Sequence, residues 1–411
     1  MAVMIIASGF ADKMKVAVPV MLIIVGIIVG FLPMMPDIEL SPDIVMLLFL
    51  PPLLYDAAFN ISFENFKTNI NTITTLAIGL VFLTTVGIAV IAHYMIPGMT
   101  WPLSFVLGSI LSATDAVAAI GITKGLGLSH KTTTILEGES LVNDASALVA
   151  YRFGVAAVTG VSFVFWKAGL QFLIVLGGGF LVGLAVAWLL GLLLRFFRKG
   201  EDLIMISLMI LMPFVTYLIA EYFEVSGVIA VVVLGLTMSR VSKEKFPDVI
   251  KQQSRHFWDV IIFLLNGLIF LLIGLQFPFV LRKMHDMEAL PYIGYAFIIA
   301  VVALLIRLIR VYLQQFNLQR AFIKTKDRTD RRKVSEEALF DSRTSFIISW
   351  SGMRGIVSLA IAIGLPIMLD NGTQFPMRNE IIFLSICVVL FSLLGQGLTL
   401  PWVVRKFGKK P

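Results

Sequence analysis

Apolar runs of about 20 residues recur from one end of this 411-residue chain to the other. At 1.5 Å per residue, one such run crosses a hydrocarbon core of roughly 30 Å as a helix. A helix satisfies its own backbone N–H and C=O groups, which lipid cannot do. Composition agrees: 58% of residues are hydrophobic, 14% are charged and the mean hydropathy is +0.93. Soluble domains carry about 25% charged residues. The fold class is therefore an all-α polytopic membrane protein.

The pattern predicts about thirteen transmembrane helices, at 1–11, 16–34, 43–59, 70–96, 102–121, 133–157, 169–194, 202–220, 226–239, 258–280, 291–314, 342–369 and 380–402. Most of the 33 lysines and arginines fall in the odd-numbered connections and the C-terminal end. The positive-inside rule makes those connections cytoplasmic. An odd helix count then puts the N-terminus outside and the C-terminus in the cytoplasm of a cell (plasma, inner) membrane. The pI of about 9.4 follows from this bias, so no nucleic-acid partner is invoked. The single cysteine, Cys387, excludes an intramolecular disulfide and a cysteine-built zinc site. The first apolar segment is only about 17 Å long as a helix. It is read either as a partial span or, the favoured reading, as a span whose beginning precedes residue 1.

Thirteen helices divide as six, one and six. The expected organisation is a first six-helix repeat at 1–160, a linking helix within 161–198, a second repeat at 199–404 and a short basic tail at 405–411. A single linking helix forces the two repeats into opposite orientations. The fifth helix of each half is interrupted by small and polar residues: Ser112-Ala113-Thr114-Asp115 in helix 5 and Ser349-Trp350-Ser351-Gly352-Met353-Arg354-Gly355 in helix 12. Discontinuous helices at matching positions of two inverted repeats mark a secondary-transporter site. The polar stretch Gln319–Arg343 reads as a cytoplasmic loop, with contact to anionic membrane lipids as its other reading.

Helix 6 carries the densest polar cluster. At 100° per residue, Glu137, Glu139, Ser140, Asn143 and Asp144 share an arc of about 160°. A charged side chain at bilayer depth costs roughly 2.5–3.5 kcal/mol even on mild scales, so such residues pair or line a hydrated path. A hydroxyl, an amide and carboxylates are the hard oxygen donors that suit alkali cations. Asp115 either adds charge to that site or caps the restarting half-helix. Asp56, beyond Pro51-Pro52, either joins the site or faces water. Arg354 needs an acid, and Glu139 is the expected partner in a structural ion pair. Arg307 and Arg310 are read as snorkelling to the cytoplasmic boundary.

These motifs resemble the monovalent cation/proton antiporter family in its bacterial sodium/proton exchanger branch. The resemblance rests on Phe49-Leu50-Pro51-Pro52-Leu53-Leu54-Tyr55-Asp56, on Ser112-Ala113-Thr114-Asp115-Ala116-Val117 and on Glu137-Gly138-Glu139-Ser140-Leu141-Val142-Asn143-Asp144. Phe263-Leu264-Leu265-Asn266-Gly267-Leu268 and Ser351-Gly352-Met353-Arg354-Gly355 complete it in the same order. The resemblance implies a homodimer, with Na+ held at Asp144, Ser140 and Thr114 and a Glu139–Arg354 pair. Asn143 in place of a second Asp resembles the electroneutral branch. Asp56 stands where the family more often has Glu.

The expected function is secondary active antiport of Na+ (or Li+) for H+ by alternating access, with Asp144 binding either ion. Such a protein is not an enzyme, needs no cofactor beyond its transported ions and serves pH homeostasis. A potassium/proton antiporter is the alternative, since oxygen donors alone do not select among alkali cations. A cation channel is more remote.

Overall fold

The computed structural model describes residues 2–14, 18–32, 42–61, 63–123, 126–160, 165–196, 202–246, 248–283, 289–325, 339–369 and 372–407. These form helices joined by short connections, with one isolated bridge, Met368 to Gln374. In chain order the helices begin with α1 Ala2–Met14, α2 Val18–Gly30, α3 Pro42–Asn60, α4 Phe63–Thr68 and α5 Ile70–Met95. They continue with α6 Trp101–Ile110, α7 Ala116–Thr123, α8 His130–Val158, α9 Phe165–Phe196, α10 Asp202–Tyr222 and α11 Gly227–Lys245. The last are α12 Asp248–Lys283, α13 Ala289–Thr325, α14 Ser342–Trp350, α15 Ile356–Ile363 and α16 Arg378–Phe407.

Seven helices among the described residues are long and apolar enough to cross a membrane. The thirteen segments read from the sequence also include shorter apolar helices such as α2, and two that are broken into half-helices. α6 and α7 are separated at residues 111–115, and α14 and α15 at 351–355. Both expected interruptions are thus present. Elsewhere the helices outrun their apolar segments. α13 has 37 residues, about 55 Å, and carries Gln314, Gln315, Arg320 and Lys324 past any hydrocarbon core. Large apolar side chains point outward, among them Leu173, Leu181 and Trp188 on α9, as lipid contact requires.

The chain forms two compact units, each drawing on both sequence halves. The first holds Glu39–Phe63 and Val161–Leu268. Within it α11 packs on α3, α9 and α10. Ser239 on α11 donates to the Ile61 carbonyl at 3.2 Å, and the Tyr55 and Trp258 rings stand 5.3 Å apart.

The second unit holds Ala2–Ile38, Glu64–Gly160 and Ile269–Pro411. α5 and α6 pack together, α6 packs on α8, and α13 runs beside α5, α14 and α16. Leu76, Leu80, Ile135, Leu136, Val311 and Ile348 belong to one apolar cluster that also takes in Ala116 at the start of α7. Small residues let helices approach closely where lipid supplies no hydrophobic drive. At the α2–α12 crossing, a Cβ on Gly274 would lie 2.8 Å from the Gly26 Cα, and one on Gly26 would lie 2.9 Å from the Gly274 Cα. Gly274→Ala should therefore cost about 1–3 kcal/mol by overpacking. A lowered midpoint in a heating series of detergent-solubilised protein, read by size-exclusion, checks this; an unchanged midpoint would refute the crossing.

Candidate ion-binding site

Within the second unit the two helix breaks face each other. The Asp115 N–H donates to the Met353 carbonyl at 2.7 Å. The Arg354 Nε donates to the Leu111 carbonyl at 3.1 Å, and its Nη1 donates to that of Gly352 at 3.3 Å. Each break frees backbone groups that an intact helix would have paired, and the other break satisfies part of them.

Charge follows the same logic. A helix N-terminus carries partial positive charge and a C-terminus partial negative charge. The Asp115 Oδ1 accepts from the N–H groups of Val117 at 2.9 Å and Ala118 at 3.2 Å, capping α7. Its carboxylate also lies against Gly355 at the start of α15, where any Cβ would collide with it. Arg354 delivers its cation to carbonyls at the ends of α6 and α14. Of the two readings open for Asp115, its hydrogen bonds are those of a cap.

α8 passes beside this crossing. Its N-terminus is capped by Ser129, whose side chain accepts from the Thr132 N–H. Ser140 Oγ donates to the Thr114 carbonyl at 3.1 Å. Asn143 Nδ2 donates to the same carbonyl at 3.2 Å and to Thr114 Oγ1 at 2.8 Å. Because a carbonyl only accepts, this contact fixes the amide orientation and leaves Oδ1 pointing elsewhere. That Oδ1 is buried and without a hydrogen-bond partner. The Thr114 hydroxyl, in turn, donates to Glu139 Oε1 at 3.2 Å. It is engaged on both sides.

The expected Glu139–Arg354 ion pair is replaced by another. Glu139 takes both terminal guanidinium nitrogens of Arg307: Nη1 bonds to Oε1, and Nη2 bonds to Oε2 at 2.8 Å. Arg307 also donates to the Ile348 carbonyl from Nε at 3.3 Å and from Nη2 at 3.1 Å. Gly352 leaves room for its passage, since a Cβ there would strike the Arg307 side chain. The snorkelling read for Arg307 is thus also corrected: the residue is only 1% exposed, whereas Arg310 is half-buried. The signal was its position. Arg307 lies near the middle of α13, too far from either end for its side chain to reach a boundary.

Asp144 sits one turn beyond Ser140 on α8 and is 5% exposed. Among the described residues its carboxylate takes no hydrogen bond and no ion pair, and the charged group acting on it is a second carboxylate, Asp115. Buried carboxylates are otherwise paired or hydrogen-bonded. The second unit thus brings together Thr114, Asp115, Glu139, Ser140, Asn143, Asp144 and Arg354. Asp56 belongs to the first unit. There it accepts from Asn60 Nδ2 at 3.0 Å and has Asp259 and Arg255 as charged neighbours.

Comparisons with known proteins bear on the family and the fold. Residues 1–406 match the family described as sodium/hydrogen exchanger, transmembrane. The chain is 33% identical over 414 residues to YjcE, an uncharacterized Na+/H+ exchanger of Escherichia coli, covering 98% of this chain and 75% of that protein. It is 34% identical over 417 residues to a sodium, potassium, lithium and rubidium/H+ antiporter of Bacillus pumilus, covering 99% of this chain but 61% of that relative's length. Its fold is similar to that of the sodium proton antiporter MjNhaP1 from Methanocaldococcus jannaschii, with a TM-score of 0.70 at 19% identity over 99% of this chain and 97% of the other. With crossed helix breaks beside a buried carboxylate and a match along nearly its whole length, this chain is a multi-pass membrane protein that belongs to the sodium/hydrogen exchanger family.

Proposed function

We propose that the chain is an antiporter exchanging Na+ or Li+ for H+, with Asp144 as the residue that carries either ion. The observation behind this reading is the buried Asp144 carboxylate, which has no hydrogen-bond or ion-pair partner among the described residues. An empty, charged site is costly to carry through the membrane, and one proton or one alkali cation neutralises it. The two ligands therefore exclude each other, and that exclusion is the coupling. Alternating access of the unit that holds the crossing exchanges them between the two sides.

The hydrogen bonds support one set of donors around the ion. Asp144 supplies the charge and the unpaired Asn143 Oδ1 a neutral oxygen; the Ser140 hydroxyl, which donates to the Thr114 carbonyl and takes only a long 3.4 Å bond from the Ala116 N–H, supplies a second through its remaining lone pair. Thr114, whose hydroxyl is engaged by Asn143 and Glu139, acts by orienting Asn143 and Ser140. An uncharged Asn at 143 leaves one mobile carboxylate, which suits one cation for one proton. A homodimer, which rests on the family resemblance, and a place in the cell membrane with the N-terminus outside and the C-terminus cytoplasmic, which rests on the loop charges, complete the proposal.

Purified protein in liposomes with an internal pH dye tests the reading. A Na+ or Li+ gradient should drive proton movement that persists with the membrane potential clamped at either sign. Strong voltage dependence would overturn the one-for-one stoichiometry. K+ belongs in the same series, because the Bacillus relative's name includes it; K+ outperforming Na+ would favour the potassium/proton reading. Competition at one carboxylate also sets the pH dependence. On the acid limb the apparent KM for Na+ should rise about tenfold per unit fall in pH. A KM independent of pH would show that the two ions do not share a site.

A further inference from the structure

We infer that Ser392, on the last helix, is a positioning residue for the ion site, acting through the second helix break. This inference rests on the site reading above. α16 is not a uniform α-helix: Ser392–Gln396 form a π-turn, an extra-residue bulge that often sits at functional positions. Ser392 Oγ accepts the Arg354 N–H at 2.9 Å and donates to Gln396 Oε1 at 2.8 Å. Ser392, Gln396 and Arg354 are all buried.

Arg354 lies inside the break, where its N–H has no helical partner. That donor is buried and needs an acceptor within the protein. The hydroxyl of Ser392 fills this role, and Gln396 Oε1 takes the hydroxyl proton, which turns the Ser392 lone pairs towards Arg354. The anchored residue stands between the two contacts that hold the breaks together. Its own guanidinium binds the Leu111 carbonyl, and the preceding carbonyl, of Met353, binds the Asp115 N–H. Asp115 follows Thr114, whose carbonyl and hydroxyl orient Ser140 and Asn143. Four linked hydrogen bonds thus lead from the π-turn to the donors around Asp144. A second hydroxyl of α16, Thr399, accepts from Trp350 Nε1 at 2.9 Å and holds the other edge of the same break.

Losing the Ser392 acceptor should shift the cation's donors while leaving Asp144 in place. Affinity should therefore suffer more than turnover. In the liposome assay, Ser392→Ala should raise the KM for Na+ about five- to tenfold with the maximal rate within about twofold, the pattern of lost binding. Ser392→Cys, which keeps the volume but is a weak acceptor, should do the same and serves if the Ala variant does not purify as a folded protein. Ser392→Thr, which keeps the hydroxyl, should restore the KM. Ser385→Ala is the control, because that equally buried hydroxyl of α16 only bonds back to the Ile381 carbonyl. It should leave the KM unchanged. An unchanged KM in both Ser392→Ala and Ser392→Cys, or an equal rise in Ser385→Ala, would overturn the inference. Asp144→Asn in the same assay keeps the two readings apart: residual exchange there would sink the ion-site assignment, whatever Ser392 does.

Discussion

Asp144→Asn should abolish sodium-driven proton movement in liposomes while the protein still purifies as a folded particle. Asn matches Asp in shape but can neither take up a proton nor offer a negative charge to a cation. Both half-reactions are lost together, so the expected effect is complete loss and not a shifted KM. Folding should survive, because the carboxylate has no hydrogen bond or ion pair among the described residues to lose. Removing a buried unpaired charge lowers the desolvation cost, so a rise in melting midpoint is the expected companion of lost activity. Exchange persisting in Asp144→Asn would end the assignment. A variant that failed to fold would show instead that Asp144 has a structural partner.

The opposite pattern is expected at Glu139 and Arg307. These two are almost fully buried and joined by two charge-assisted hydrogen bonds. Removing one member leaves the other as an uncompensated charge, which costs about 3–5 kcal/mol. Glu139→Ala and Arg307→Leu should each lose most of their folded yield or show a strongly lowered melting midpoint. The double change to Glu139→Gln with Arg307→Gln should recover part of that loss, because neutral amides can still hydrogen-bond to each other and to the Ile348 carbonyl. Arg354→Gln separates this pairing from the one expected from the sequence. If Glu139 were held by Arg354, that variant would match Glu139→Ala in severity and Arg307→Leu would be the milder one. With Arg354 bound instead to backbone carbonyls at both breaks, its loss should mainly impair exchange. Melting midpoints of the four variants, with transport measured on those that fold, decide between the two arrangements.

Much of the site was legible before any tertiary structure. Helical periodicity put Ser140, Asn143 and Asp144 on one face, and the runs Ser112–Asp115 and Ser349–Gly355 announced breaks in otherwise apolar helices. These are local properties: a 100° rotation per residue and the poor fit of small polar residues in a lipid-facing helix do not depend on neighbours. Partner choice is not local. Two buried arginines were available to Glu139, and nothing in residue spacing says which of α13 and the second break brings its guanidinium closer. Gly352 decided it by leaving space for Arg307. The same holds for Thr114, a plausible ion ligand as a residue type, whose hydroxyl turns out to be engaged by Asn143 and Glu139.

By itself the sequence determined that the chain is helical and membrane-embedded, that two of its helices are interrupted, and that one helical face concentrates oxygen donors around Asp144. Each conclusion follows from hydropathy or helical geometry within a single segment. Only the tertiary structure decided how the breaks cross, that Asp115 caps while Arg354 binds freed carbonyls, that Arg307 holds Glu139, and that Asp144 is left without a partner among the described residues. Those outcomes depend on distances between segments far apart in the chain, where one missing Cβ or one π-turn determines which polar groups meet.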